Sequence, residues 1–187
     1  QQALPQGHAL QILIEMGDLT SAEAAIADAS ALIAATGNDY DSVHEKLVRA
    51  LLARERGDHK SAVMLAFYGR QVAEAQAYVA FHFYAMAIEA AARVDKGEPH
   101  MGILLATTAM GAIETLQGAE YGLETRLLCC HALTVAASPQ AGEFQRRASK
   151  YAQTIHSLIR TPDLRTSFQA RPLLAPFLSE PNWLEVE

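Results

Sequence analysis

Apolar residues return at every third or fourth position through most of this chain, and the stretches close on a glycine followed by an acidic residue. That spacing lays one apolar stripe along a helix. It predicts helices near 6–16, 19–36, 40–56, 60–75, 78–95, 101–117, 119–136 and 140–159. Val, Ile, Tyr and Thr nowhere gather into alternating runs bounded by turns, so no strand is expected.

The turns repeat. Gly17-Asp18, Gly57-Asp58 and Gly97-Glu98 stand 40 residues apart, and one further period falls on Ala137-Ser138-Pro139. Five residues beyond each turn the side chain is small (Ala22, Ala62, Gly102, Gly142), and twelve beyond it is small again (Ala29, Gly69, Ala109, Ser149). Seven before come Leu10, Ala50, Ala90 and Cys130. A glycine suits a helix end, where the backbone must enter the left-handed region. The acid after it lies beside the next helix's N-terminus, where it can cap free amides. Asp39 is expected to play that part for the third helix. Small residues let two helix backbones approach at fixed points. Near 75–77 no breaker is present, yet the repeat demands one, because an unbroken helix over 60–95 would exceed ordinary globular lengths.

The period therefore predicts an all-α fold: a right-handed superhelical stack of about four antiparallel helix hairpins with a C-terminal capping segment. The stack would span 1–160 and the cap 161–187. After Thr161-Pro162-Asp163 a short helix is expected to about Ala170, then an apolar run broken by Pro172 and Pro176. Terminal repeats expose an apolar face that needs cover. Leu164, Phe168, Leu173, Leu174, Phe177 and Trp183 are expected to supply it against Phe144, Tyr151, Ile155 and Leu158. Glu185-Val186-Glu187 would be a frayed tail.

Composition narrows the function classes. The net charge of −6 disfavours nucleic acid as a partner, because such binding neutralises phosphates. No apolar stretch reaches the roughly 18 residues of a membrane span. The N-terminus carries no initiator Met and no basic, apolar leader, so the chain reads as a piece of a longer protein. Two adjacent cysteines, Cys129-Cys130, make no disulfide framework, and a reducing cytoplasm is the default. Charge is uneven: seven acids and no Lys or Arg between Glu15 and Glu45, against six bases and two acids from Ala141 to Pro172. Solvated faces are the expected place for both runs.

The phrases Gly17-Asp18-Leu19-Thr20-Ser21-Ala22 and Gly57-Asp58-His59-Lys60-Ser61-Ala62 resemble the turn between the two helices of a tetratricopeptide repeat. The bulky aromatic early in the first helix and the proline after the second are missing, and the period is longer than the usual ~34 residues. Longer repeats of this kind look like those in sensor regions of ATP-dependent bacterial transcription regulators, and in regions trailing bacterial cyclases and Ser/Thr kinases. The ending Pro162-Asp163-Leu164-Arg165…Phe168…Arg171-Pro172 is similar to how such regions finish. The resemblance implies that the first helix of each hairpin lines a concave groove, with His44, Arg54, Tyr84, Glu124 and His131 facing a partner. The Lys, Asn and Arg of the family's carboxylate clamp are replaced mostly by Leu and Ala. Such a groove either holds an amphipathic helix or is filled by the chain itself.

Chemistry beyond binding is not signalled. Seven histidines are scattered without metal-ligand spacing, and Cys129, Cys130 and His131 point in different directions around a helix. No phosphate-cradling loop or nucleophile elbow is present, and the acids are expected in turns and on exposed faces. The expectation is a protein that is not an enzyme, with no cofactor and no metal. It would be a protein-interaction or regulatory scaffold module with a protein or peptide partner, the terminal region of a larger bacterial signalling or regulatory protein. A small-molecule effector bound near Tyr84 is the rival reading, and a structural self-association module forming a homodimer is the third.

Overall fold

The computed structural model describes residues 4–116 and 118–178. Trp183, the tail 185–187 and Gln117 lie outside the described residues. Among the described residues every regular element is helical: α1 (Leu4–Glu15), α2 (Leu19–Thr36), α3 (Asp39–Glu55), α4 (His59–Ala75), α5 (Val79–Asp95), α6 (Pro99–Thr115), α7 (Gly122–Val135), α8 (Ala141–Leu158), α9 (Pro162–Gln169) and α10 (Ala175–Leu178).

One turn geometry ends five of them, α1, α3, α4, α5 and α7. The amide of Gly17 donates to the Ile14 carbonyl at 3.0 Å, and that of Asp18 to the Leu13 carbonyl at 3.0 Å. The second of these bonds recurs from Asp58 to Ala53, Tyr78 to Ala73, Glu98 to Arg93 and Ser138 to Leu133, at 2.8–2.9 Å. Each such turn places one residue in the left-handed region, satisfying carbonyls that the helix leaves free. Gly17, Gly57 and Gly97 do so at φ 78°, 78° and 91°, without steric cost. Ala77 and Ala137 do so at φ 55° and 49°, against the contact of Cβ with the carbonyl. The break near 75–77 is thus the same turn built without its glycine.

Helix starts follow the sequence in part. Asp18 and Asp58 each accept an amide bond at 3.1 Å, from Ser21 and Ser61. Asn38, rather than Asp39, caps α3 by accepting from the Tyr40 amide at 3.0 Å. Glu98 makes no capping bond, because Arg93 and Lys96 occupy its carboxylate. The link from α6 to α7 is longer than expected: Leu116 is extended, and Gly118 and Tyr121 are both left-handed. Accordingly α7 starts at Gly122, not 119.

Consecutive helices pair, and the first helices of successive hairpins also pack on one another: α1 on α3, α3 on α5, α5 on α7. The second helices make no comparable contact among themselves; each packs on its own partner and on the next hairpin's first helix. A stack closed along one set of helices and open along the other bends around the closed side, which makes α1, α3, α5 and α7 the inner wall. The repeated small residues sit where helices meet. Ala22, Ala50, Ala62 and Ala90 are fully buried. A Cβ on Gly69 would lie 2.7 Å from Leu47 Cδ2, and one on Gly102 would lie 2.1 Å from Val94 Cγ2 and 3.0 Å from the Ala90 carbonyl. Gly142 and Ala29, by contrast, are only half-buried.

The acids are not all in turns and on exposed faces. Glu89 is 1% exposed, and its carboxylate receives Arg70 at 2.9 Å and Arg93 at 2.8 Å. This buried charge survives because two guanidiniums and their hydrogen bonds replace its water.

The C-terminal cap differs from expectation in its course. α9 has no buried residue, although the Phe168 ring stacks on His156 with centroids 6.2 Å apart. Leu174 and Phe177 are buried in the core, and α10 rests on α8. Leu158 and Leu164 stay exposed, at 72% and 62%. The segment leaves the last turn of α8 and runs toward α1, so it covers only part of the α8 face.

Two kinds of substitution test this geometry by urea denaturation. Ala77→Gly and Ala137→Gly should each raise stability by about 0.5–1 kcal/mol, the left-handed strain relieved less the entropy added to the unfolded chain. Gly102→Ala should lower it by about 1–3 kcal/mol through overpacking. Unchanged midpoints for all three would place these residues elsewhere.

A candidate binding groove

Each residue singled out from the sequence lies on a first helix: His44 and Arg54 on α3, Tyr84 on α5, Glu124 and His131 on α7. The structure sorts them into three groups along the inner wall.

At one end is a stack of rings. Tyr121 lies flat against Tyr84, with centroids 4.5 Å apart and planes at 8°, and stacks on Phe81 at 5.4 Å. His44 sits beside Phe81 at 5.6 Å, and its Nε2 shares a 2.9 Å hydrogen bond with the Tyr121 hydroxyl. Tyr40 adds a further ring 4.5 Å from Phe81 and donates its hydroxyl proton to Glu120. Burial, together with the Glu120 carboxylate, pushes both Tyr40 and Tyr121 far above the ordinary tyrosine range. Tyr84 is 1% exposed, and its hydroxyl has no hydrogen-bond partner. Burial, then the nearby Glu124, holds that phenol neutral well past its usual range.

Further along, three helices meet in an ion network. Arg54 Nε donates to Asp95 Oδ2 at 2.6 Å, and Arg54 Nη1 donates to Glu55 at 2.9 Å. Nε2 of His131 lies 2.8 Å from Asp95 Oδ1 and 2.7 Å from Arg54 Nη2. One ring nitrogen thus faces two partners, and the tautomer decides which bond forms. Burial pushes the Asp95 carboxyl up, but His131 and Arg54 outweigh it and hold it below the usual carboxylate range.

The third group closes the groove. Arg171, from the C-terminal segment, donates through Nε and Nη2 to the two oxygens of Glu15 at 2.9 and 2.8 Å, and through Nη2 to Glu124 at 3.0 Å. Glu15 is on α1 and Glu124 on α7, so one guanidinium ties the first hairpin to the last. Beneath this tie lies a cavity of about 190 Å³, floored by Leu51, Leu127 and Leu128, walled by Arg54, Glu55 and Glu124, and roofed by Pro172 and Leu173. On the other side of Arg171–Pro172 an open apolar cleft of about 600 Å³ separates α1 from α9.

The cysteines belong to the core. Cys129 and Cys130 are free and buried, and burial raises the Cys130 thiol to about 12. No group of three or more His, Cys, Asp or Glu among the described residues is placed to hold a metal ion. No helix among them is long and apolar enough to cross a membrane.

No protein-family model, curated protein or solved structure matches the chain.

Sequence reading missed Tyr121, Asp95, Glu15 and Arg171. Tyr121 follows an irregular link that periodicity does not place. Asp95 closes α5 two residues before the third repeat turn, a position where an acid reads as solvated. Glu15 and Arg171 head the acidic run and close the basic one. That asymmetry was their signal, but solvated faces were the expected home for it, whereas here the two side chains are 4% and 17% exposed.

The depressed Asp95 carboxyl sets a pH dependence. Its contribution to stability is full above the unfolded-state pKa of about 4 and is lost as pH falls through the lower folded value. Asp95→Asn should cost about 1–3 kcal/mol at neutral pH. It should also flatten the loss of stability below about pH 4. An acid limb identical to that of the wild type would mean the network makes no pH-linked contribution.

Proposed function

We propose that the chain is a non-catalytic protein-interaction module of the tetratricopeptide-like kind, and that the inner wall is its binding surface. One observation carries this reading: first helices of different hairpins bring polar side chains (Glu15, Arg54, Glu55 and Glu124) around an apolar-floored cavity, with His131 bonded to Arg54 behind it. Polar groups converging on an apolar floor are what a recognition site needs, because the floor supplies burial and the polar groups supply orientation.

A small effector beside Tyr84 is the second reading, favoured by the unpartnered Tyr84 hydroxyl. The cavity of about 190 Å³, which Tyr84 does not line, is small against the roughly 300–1,000 Å³ of sites for drug-sized ligands. A side chain from a protein partner suits it better. A place within a bacterial regulatory protein fits this reading through the resemblance of its repeats.

The test is cross-linking capture with three forms of the chain. Wild type and an outer-face variant, Met64→Ser with Leu104→Ser, should retain the same partner; Met64 and Leu104 are exposed on second helices. The groove variant Glu55→Lys with His131→Ala should lose it. Equal capture by all three forms would remove the inner wall as the binding surface.

A further inference from the structure

The groove already holds a peptide, and that peptide is part of the chain. Residues 171–178 form a strap that runs from the inner wall to α8: Arg171 sits between Glu15 and Glu124, Leu173 roofs the cavity, and Leu174 and Phe177 are buried beyond it, with α10 resting on α8. The strut leading to it holds it loosely, since α9 buries no residue and an open cleft separates it from α1. Beneath the strap, too, space is left unfilled.

The charges specify what the groove accepts. Without Arg171 the cavity wall presents Glu15, Glu55 and Glu124 against Arg54 alone, and the Arg54 guanidinium is already engaged by Asp95 and Glu55. Glu15, 4% exposed under the strap, would keep the Gln11 amide 3.0 Å away. Neighbouring carboxylates repel one another, so the site favours a cation between Glu15 and Glu124. A guanidinium answers this geometry with a two-point fork to Glu15 and a third bond to Glu124.

We infer that the strap is a built-in competitor, and that the groove's partner is a protein segment carrying an arginine followed by large apolar residues, which displaces residues 171–178. Arginine takes the place of Arg171 between Glu15 and Glu124, and the apolar residues after it take those of Leu173, Leu174 and Phe177. Binding then releases α9 and α10, so occupancy of the groove is coupled to exposure of that segment. This rests on the inner wall being a protein-binding surface.

The probe is a synthetic peptide with the sequence of residues 168–178, fluorescently labelled and titrated into the full chain. Two variants open the strap, Arg171→Glu and Leu174→Asp, each checked for helix content by circular dichroism. The open variants should bind the peptide at least about tenfold more tightly than wild type, whose own strap competes at high effective concentration. A peptide with alanine in place of arginine should bind roughly ten- to a hundredfold more weakly, the loss of a charge-assisted fork. Glu15→Gln with Glu124→Gln in the Leu174→Asp background should weaken the arginine peptide to the same level.

Should both open variants unfold, hydrogen exchange on wild type decides: saturating peptide must raise exchange at amides 173–178. Equal binding of the arginine and alanine peptides would overturn the cationic assignment and leave the groove reading standing. No binding to a folded open variant, or no rise in exchange, would overturn the inference. Loss of the captured partner on groove substitution would then show that the groove reading itself survives. A wild-type chain that dimerises with rising concentration, and whose dimer the peptide dissolves, would make the occupant a second copy and overturn the assignment to a separate partner.

Discussion

The left-handed residue that ends a helix is the constraint on which this fold depends. It recurs at 17, 37, 57, 77, 97, 118 and 137, so helix and turn together take twenty residues everywhere except on the two sides of Gly118, where they take 21 and 19. Fixed helix lengths keep the hairpins in register, and register brings small residues opposite one another. The alternative, a helix continuing past 77, would carry Phe81, Tyr84 and Ala87 away from the inner wall. Strain of about 1–2 kcal/mol at a left-handed alanine is small against burial of those rings, each worth roughly 1.5–3 kcal/mol. Packing wins, and the chain turns at Ala77 without glycine.

Small residues and charge then divide the work. Where helices approach closely the contacts are methyl groups and glycines, as at Gly102 against Val94 and Ala90. Where they diverge along the inner wall, polar groups bridge the gap: Arg54 with Asp95 and His131 across α3, α5 and α7, and Arg171 with Glu15 and Glu124 across the ends. Bridges of this kind position more than they stabilise, since each pair gives up hydration to form. Apolar burial of Leu174 and Phe177 supplies the adhesion of the strap, and Arg171 supplies its register. On the proposed reading, a surface closed in this way opens only to a partner that offers both.

The stack was readable from the sequence because its signals are local and repeat. Gly17, Gly57 and Gly97 mark turns by a property of the residue itself, and Ala50, Ala62 and Ala90 mark close contacts by their size. Ala77 and Ala137 were placed by phase alone. The inner wall was readable only as a list of positions on first helices, and His44, Arg54, Tyr84, Glu124 and His131 do lie along it. What they touch was not readable. Tyr121 reaches His44 through a left-handed residue in an irregular link, and Arg171 reaches Glu15 across nearly the whole chain. Neither contact follows from spacing, because both depend on how far the stack bends before its ends meet. Cys130 shows the opposite case: its place in the repeat identified it as core, and its thiol is buried.

The closed groove is tested most directly by a double-mutant cycle between Glu15 and Arg171, the two residues joining the first hairpin to the strap. Unfolding free energies of wild type, Glu15→Gln, Arg171→Gln and the double variant give the coupling between them. A coupling of about 1.5–3 kcal/mol is expected for a charge-assisted, two-point contact shielded from water. Effects that add to within about 0.5 kcal/mol would contradict it, because independent residues add in that way. The C-terminal segment would then lie elsewhere, and the inner wall would stand open.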